Sequence, residues 1–105
     1  MSEITVLAYA EAKVNCEKKL EAAFCAAMPP THAEKGCIKY ALQQVSDNAR
    51  SFVMIEKWSS KEALDLHLKA PHIQILFKKF NELLAKPIEI KILNSIVAGS
   101  PGKLL

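Results

Sequence analysis

The spacing of apolar positions divides the chain into six short elements. Residues Ile4 to Ala10 (ITVLAYA) alternate in size and are rich in β-formers, which predicts a strand. Cys16, Leu20, Ala23, Phe24 and Ala27 then recur at i, i+4, i+7, i+8 and i+11, the stripe of a helix lying on a core. Asn15 stands where an N-cap belongs. Pro29-Pro30 is expected to stop regular helix, leaving an irregular turn that runs as far as Glu34. Gly36 marks a turn into a second strand over Cys37–Val45, with Ile38, Tyr40 and Leu42 on one face and Cys37, Ala41 and Val45 on the other. The polar run Ser46 to Arg50 supplies turn formers for a hairpin. It leads into Phe52–Trp58 (FVMIEKW), whose first half is apolar on both faces and suits a strand covered on both sides.

Helix signals return at Ser59, read as an N-cap that forms a capping box with Glu62. Ala63, Leu64, His67 and Leu68 share one side of this helix, and Pro71 ends it and starts another. The next stripe is Ile73, Leu76, Phe77, Phe80, Leu83 and Leu84, closed by Pro87. Ile88, Ile90 and Ile92 alternate with charged residues in a final strand. The order β-α-β-β-α-β predicts an α+β, ferredoxin-like domain over residues 1–96, with a flexible tail over 97–105. In that fold the helices cover one sheet face and leave the other bare. Here the bare face is apolar, and its simplest cover is the same face of a second copy across a two-fold axis.

Composition narrows the picture. With 50% apolar and 24% charged residues, the 105-residue chain has the make-up of a single globular domain and not of a disordered segment. No apolar run approaches the roughly 20 residues that cross a bilayer, and the N-terminus lacks a signal-peptide layout, so a cytoplasmic protein with no membrane role is expected. The net charge of +3 comes from thirteen scattered lysines and Arg50, without the clustered arginines and interleaved aromatics of a nucleic-acid site. Cys16, Cys25 and Cys37 are an odd, widely spaced set, read as reduced thiols; no metal site is read from them. Cys16 falls on the first helix stripe and is read as a small core residue, whereas Cys25 falls off it.

The run Val53-Met54-Ile55-Glu56-Lys57-Trp58-Ser59-Ser60, followed by Ala63-Leu64-Asp65-Leu66-His67-Leu68 and Ala70-Pro71-His72, resembles the antibiotic biosynthesis monooxygenase family. The shared pattern is E-x-W-x-S/T, a short gap, A-L-x-x-H, then P-H; with Gly36-Cys37 and the element order, the resemblance extends over about residues 4 to 93. It implies a dimeric α+β barrel in which two ferredoxin-like sheets face each other. It also implies one of several activities: oxygenation of electron-rich aromatics or quinols without flavin, metal or haem, autoinducer isomerisation, or haem degradation. The haem branch relies on a histidine late in the second helical region. That position falls near Phe77 here, and the first strand lacks the branch's asparagine, so haem degradation is disfavoured and no cofactor is expected.

The residues themselves point to a small-molecule pocket. Glu56 and Trp58 share a strand face with Phe52 and Met54, and that face meets the helix stripe carrying His67 and the start of the helix carrying His72. Cofactor-free oxygenation of a quinol or phenol needs a base, because the anion gives an electron to O₂ far more readily than the neutral form. Histidine suits that task. The reading assigns catalysis to His67, His72 and Glu56, and substrate contact to Trp58, Tyr40 and Phe77, which can stack on an aromatic ring. The same groups serve an isomerase that moves a proton beside a carbonyl, or a non-catalytic dimeric binding or stress-response module, and residue types do not separate these. Each residue also has a plain structural role open to it. The histidines can be hydrogen-bonded core residues, His72 can serve the helix junction at Pro71, Glu56 can orient a histidine, and Trp58 can be core. His32 is expected in solvent.

Overall fold

The computed structural model describes residues 2–105. Strand β1 (Ile4–Glu11) is followed by α1 (Glu17–His32), β2 (Cys37–Gln44), β3 (Ser51–Trp58), α2 (Lys61–Lys69), α3 (Pro71–Leu83) and β4 (Glu89–Leu93). The strands form one antiparallel sheet in the order β2-β3-β1-β4. This is the ferredoxin-like arrangement that the element order predicts. In β3, Phe52, Met54, Glu56 and Trp58 are all buried, whereas Ser51, Val53, Ile55 and Lys57 are half-buried. The first set lies beneath the helices with Val6, Ala8 and Ala10 of β1 and meets Leu20, Phe24, Leu64, Ile73, Leu76 and Phe80 in one core. No helix among the described residues is long and apolar enough to cross a membrane.

Three local readings are corrected by the backbone. Asn15 does not cap α1: its φ of +67° places it in a turn closed by Cys16 N–H on Lys13 C=O (2.9 Å), and the cap residue is Cys16. Asparagine tolerates this left-handed conformation better than most side chains. Helix α1 does not stop at Pro29-Pro30 but runs through both to His32. The N–H groups missing at these prolines would have served Cys25 and Ala26, which are exposed, so water replaces the lost bonds. The N-cap of α2 is Ser60, whose Oγ accepts from Ala63 N–H (3.1 Å). Ser59 is still tied to the sheet side, its N–H donating to Gly36 C=O (2.9 Å).

Strand β2 departs from simple alternation. A bulge between Cys37 and Lys39 shifts the register against β3, so Cys37 lies opposite Trp58 while Tyr40 still lies opposite Glu56. The extra residue turns Ile38 out of the Tyr40–Leu42 face, and it is 40% exposed. On the helix-free side of the sheet, Ile38, Ala41, Thr5, Ile55 and Lys57 line a shallow hollow with Pro101, Leu104 and Leu105, so the chain's end lies back against that face. At the other edge, Ile90 and Ile92 pair with Ala8 and Val6 yet stay half exposed, leaving an apolar groove between α3 and β4.

Candidate functional site

The continuation of α1 through its prolines brings Glu34 to the junction of α2 and α3. Glu34 N–H donates to Thr31 C=O (3.0 Å) and Cys37 N–H to Glu34 C=O (3.1 Å), which fixes the turn before β2. Gly36 lets this turn press on α2, since a Cβ there would overlap the Ala63 Cβ and crowd Ser59 Oγ. The outcome is a carboxylate bridging two histidines. His67 Nδ1–H donates to Glu34 Oε2 at 2.7 Å, and His72 Nε2–H donates to the same oxygen at 2.8 Å. A carboxylate only accepts, so these bonds set both tautomers and leave Nε2 of His67 as that ring's free acceptor.

His67 is 2% exposed and packs between two aromatic residues. Its ring centroid lies 4.4 Å from that of Trp58 and 5.3 Å from that of Tyr40, the latter edge-on. Burial holds its pKa below the ordinary imidazole value, although the Glu34 hydrogen bond and charge pull the other way. The ring is therefore neutral at neutral pH. Behind it, Trp58 Nε1–H donates to Glu56 Oε1 at 2.9 Å. Burial pushes the Glu56 carboxyl up to about 7, against the Trp58 hydrogen bond that favours its charged form. Burial and the nearby Glu56 charge also push the Tyr40 phenol up. The Cys37 thiol is raised by burial and then by Glu34 and Glu56, which makes it a poor nucleophile.

Four of the six residues singled out from the sequence meet around one hollow. Glu56, Tyr40, His67 and Phe77 line a cavity of about 30 Å³ with Met54, Phe24 and Leu76, room for a water or two. Phe77, Phe80, Ile88 and Ile90 form a wall it shares with the α3–β4 groove, which is about 640 Å³ and also carries Asn81 and Lys86. Trp58 is fully buried behind His67 and does not line the cavity. His72 lies on the far side of Glu34 and faces a separate hollow beside Ala23, Ala27 and Lys79. Glu56 is bonded to Trp58 and not to a histidine, because residues two apart on a strand are same-face neighbours. The orienting carboxylate is Glu34, which the strand and helix periodicities do not mark. Its one signal is an acidic residue at the end of a helix whose prolines face water. His32 is exposed, though its Nε2 lies 2.8 Å from Tyr40 C=O.

Residues 3–79 match the family model described as "Antibiotic biosynthesis monooxygenase". The chain belongs to that family. Within the curated relatives it is 40% identical over 63 residues to the uncharacterized protein sll1783 of Synechocystis, a match covering 60% of this chain and 43% of that protein. The chain thus spans less than half the length of that relative. It is 32% identical to "Putative monooxygenase Rv0793" of Mycobacterium tuberculosis, over 88% of this chain and 90% of that one. The solved structure of Rv0793 superposes with a TM-score of 0.87, covering 94% of this chain and all of that one at 30% identity. PA3566 of Pseudomonas aeruginosa superposes equally well, with a TM-score of 0.87 at 28% identity over 92% and 97% of the two chains. The matched residues 3–79 include the site just described: Glu56 and Trp58 on β3, His67 on α2 and His72 at the start of α3.

Proposed function

We propose that this chain is a cofactor-independent monooxygenase acting on a quinol or polyphenolic aromatic molecule. The observation that carries the reading is the buried His67 imidazole, its Nδ1 fixed on Glu34 and its ring lining a cavity with Glu56, Tyr40 and Phe77. In this reading Nε2 takes the proton of a substrate hydroxyl, with Glu34 holding the ring in the tautomer that can accept it. The phenolate gives one electron to O₂, and the radical pair combines at an activated ring carbon to give a hydroperoxide. Loss of water from the hydroperoxide leaves a new carbonyl. A ring C–H thus becomes C=O, one oxygen atom is retained and the other leaves as water, with all four electrons coming from the substrate. No external reductant is required.

The inner cavity takes a molecule the size of dioxygen or water. The aromatic ring enters from the α3–β4 groove, and Phe77, half-buried in the shared wall, swings aside to bring a hydroxyl within reach of Nε2. His72 and Glu56 act at one remove, His72 by completing the Glu34 bridge and Glu56 by its bond to Trp58. The helix-free sheet face, with Tyr9, Val53 and Ile55, pairs with a second copy in this reading and excludes water from the sheet.

Oxygen uptake with a panel of hydroquinones tests the reading. Uptake that is lost in His67→Ala supports it. Substrate turnover with no oxygen consumed replaces it with an isomerase, and tight binding of the same compounds without turnover replaces it with a non-catalytic binding module.

A further inference from the structure

The Glu34–His67–His72 cluster has a second capacity that is independent of the cavity. Its three donor atoms come from three separate segments: the turn after α1, the last turn of α2 and the first turn of α3. One oxygen and two imidazole nitrogens lie within 4.8 Å of one another. Two of the separations are 2.7 and 2.8 Å, held by hydrogen bonds whose protons a cation would replace. Zinc–nitrogen and zinc–oxygen bonds of about 2.0–2.2 Å hold tetrahedral donors about 3.3 Å apart, so the two hydrogen-bonded pairs open by roughly half an ångström while the two imidazole nitrogens, within 4.8 Å of each other, draw together. We propose that Glu34, His67 and His72 form a three-ligand site for a divalent transition cation of the Zn²⁺ class.

Three features favour this class of ion. Two imidazoles and one carboxylate suit zinc and its neighbours and not magnesium or calcium, which take oxygen donors. With Oε2 of Glu34 shared by both rings, the three donor atoms converge on one position. It is also reachable: the side chains of Glu34 and His72 are 17% and 21% exposed. Coordination through Nδ1 leaves the ring proton of His67 on Nε2, so the loaded site and the His67 base are alternative states of one ring. That last consequence rests on the reaction proposed above; cation binding does not.

The test is titration of the full chain with Zn²⁺ by calorimetry, paired with the absorption spectrum of the Co²⁺ form. One equivalent bound, at least about tenfold weaker in His72→Ala and in Glu34→Gln, with no thiolate-to-metal band in the Co²⁺ spectrum, supports the site. Because these variants can also perturb folding, histidine ring resonances of the unmodified chain supply a second readout. The site requires the His67 and His72 signals to move on adding Zn²⁺ while those of His32 stay in place. No binding, binding unchanged in both variants, a thiolate band from the cysteines, or a shift of His32 alone overturns the proposal. None of these outcomes touches oxygen uptake by the metal-free protein, so the two readings fail separately.

Discussion

Glu34 Oε2 sits 2.7 Å from Nδ1 of His67, a residue 33 positions away that follows two intervening strands. A carboxylate from the first half of the fold thus sets the tautomer of a buried histidine in the second. The same oxygen takes the His72 ring, so both imidazoles have a defined donor direction.

Replacing Glu34 tests that control. Glu34→Ala leaves two imidazole donors without their acceptor, one of them buried, and is expected to cost about 1–3 kcal/mol in urea denaturation. Glu34→Gln keeps an acceptor and the shape but loses the charge. Oxygen uptake should fall by roughly 10–100-fold, in kcat more than in KM, the range seen when a carboxylate that orients a functional histidine is changed. Unchanged uptake in Glu34→Gln would show that the Glu34 charge is immaterial to the His67 base.

Glu56 carries a pH signature. Its carboxyl is raised from an ordinary 4.5 to about 7, so the folded state holds the proton more tightly than the unfolded chain. The stabilisation is fully present below about pH 4.5 and is lost as the pH rises through about 7, to the extent of ~3 kcal/mol. Melting temperatures measured at pH 5 and pH 8 should differ by several degrees more in the unmodified chain than in Glu56→Gln. A Glu56→Gln variant with the same pH slope would assign the effect elsewhere. Trp58→Phe removes the donor that favours the carboxylate and should push the transition to higher pH.

Gly36→Ala places a methyl into Ala63 of α2. Both neighbouring segments are tied down, by Ser59 N–H on Gly36 C=O and by Ser60 at the helix cap, so relief demands backbone movement. A loss of about 1–3 kcal/mol is expected, with the melting point down by several degrees. Pairing it with Ala63→Gly should cost less than the sum of the two single changes. Strict additivity would mean that the two residues do not compete for the same space.

The helix-free sheet face gives a prediction about assembly. Val53 and Ile55 are half-buried there, and Tyr9 is 39% exposed. Sedimentation at micromolar concentration should return twice the chain mass, and Val53→Asp should shift it towards the single chain. A monomer at that concentration removes the proposed pairing of sheets.

The sequence by itself determined the strands and helices whose apolar spacing is unambiguous, and with them the ferredoxin-like order. Period-two alternation put Glu56 and Trp58 on the buried face of β3, and helical spacing put His67 on the buried side of α2, because these periodicities are local geometry. It did not determine where α1 ends, because the cost of a proline depends on whether the carbonyls it orphans face water or the core. Nor did alternation survive in β2, where the bulge before Lys39 turns Ile38 out. Only the tertiary structure decided that Glu34, and not Glu56, is the partner of the histidines. It did so because Gly36 admits a close approach to α2 that no spacing along the chain encodes. Hydrogen bonds between residues 33 and 38 positions apart are fixed by how elements stack, and the stacking is set by the whole core.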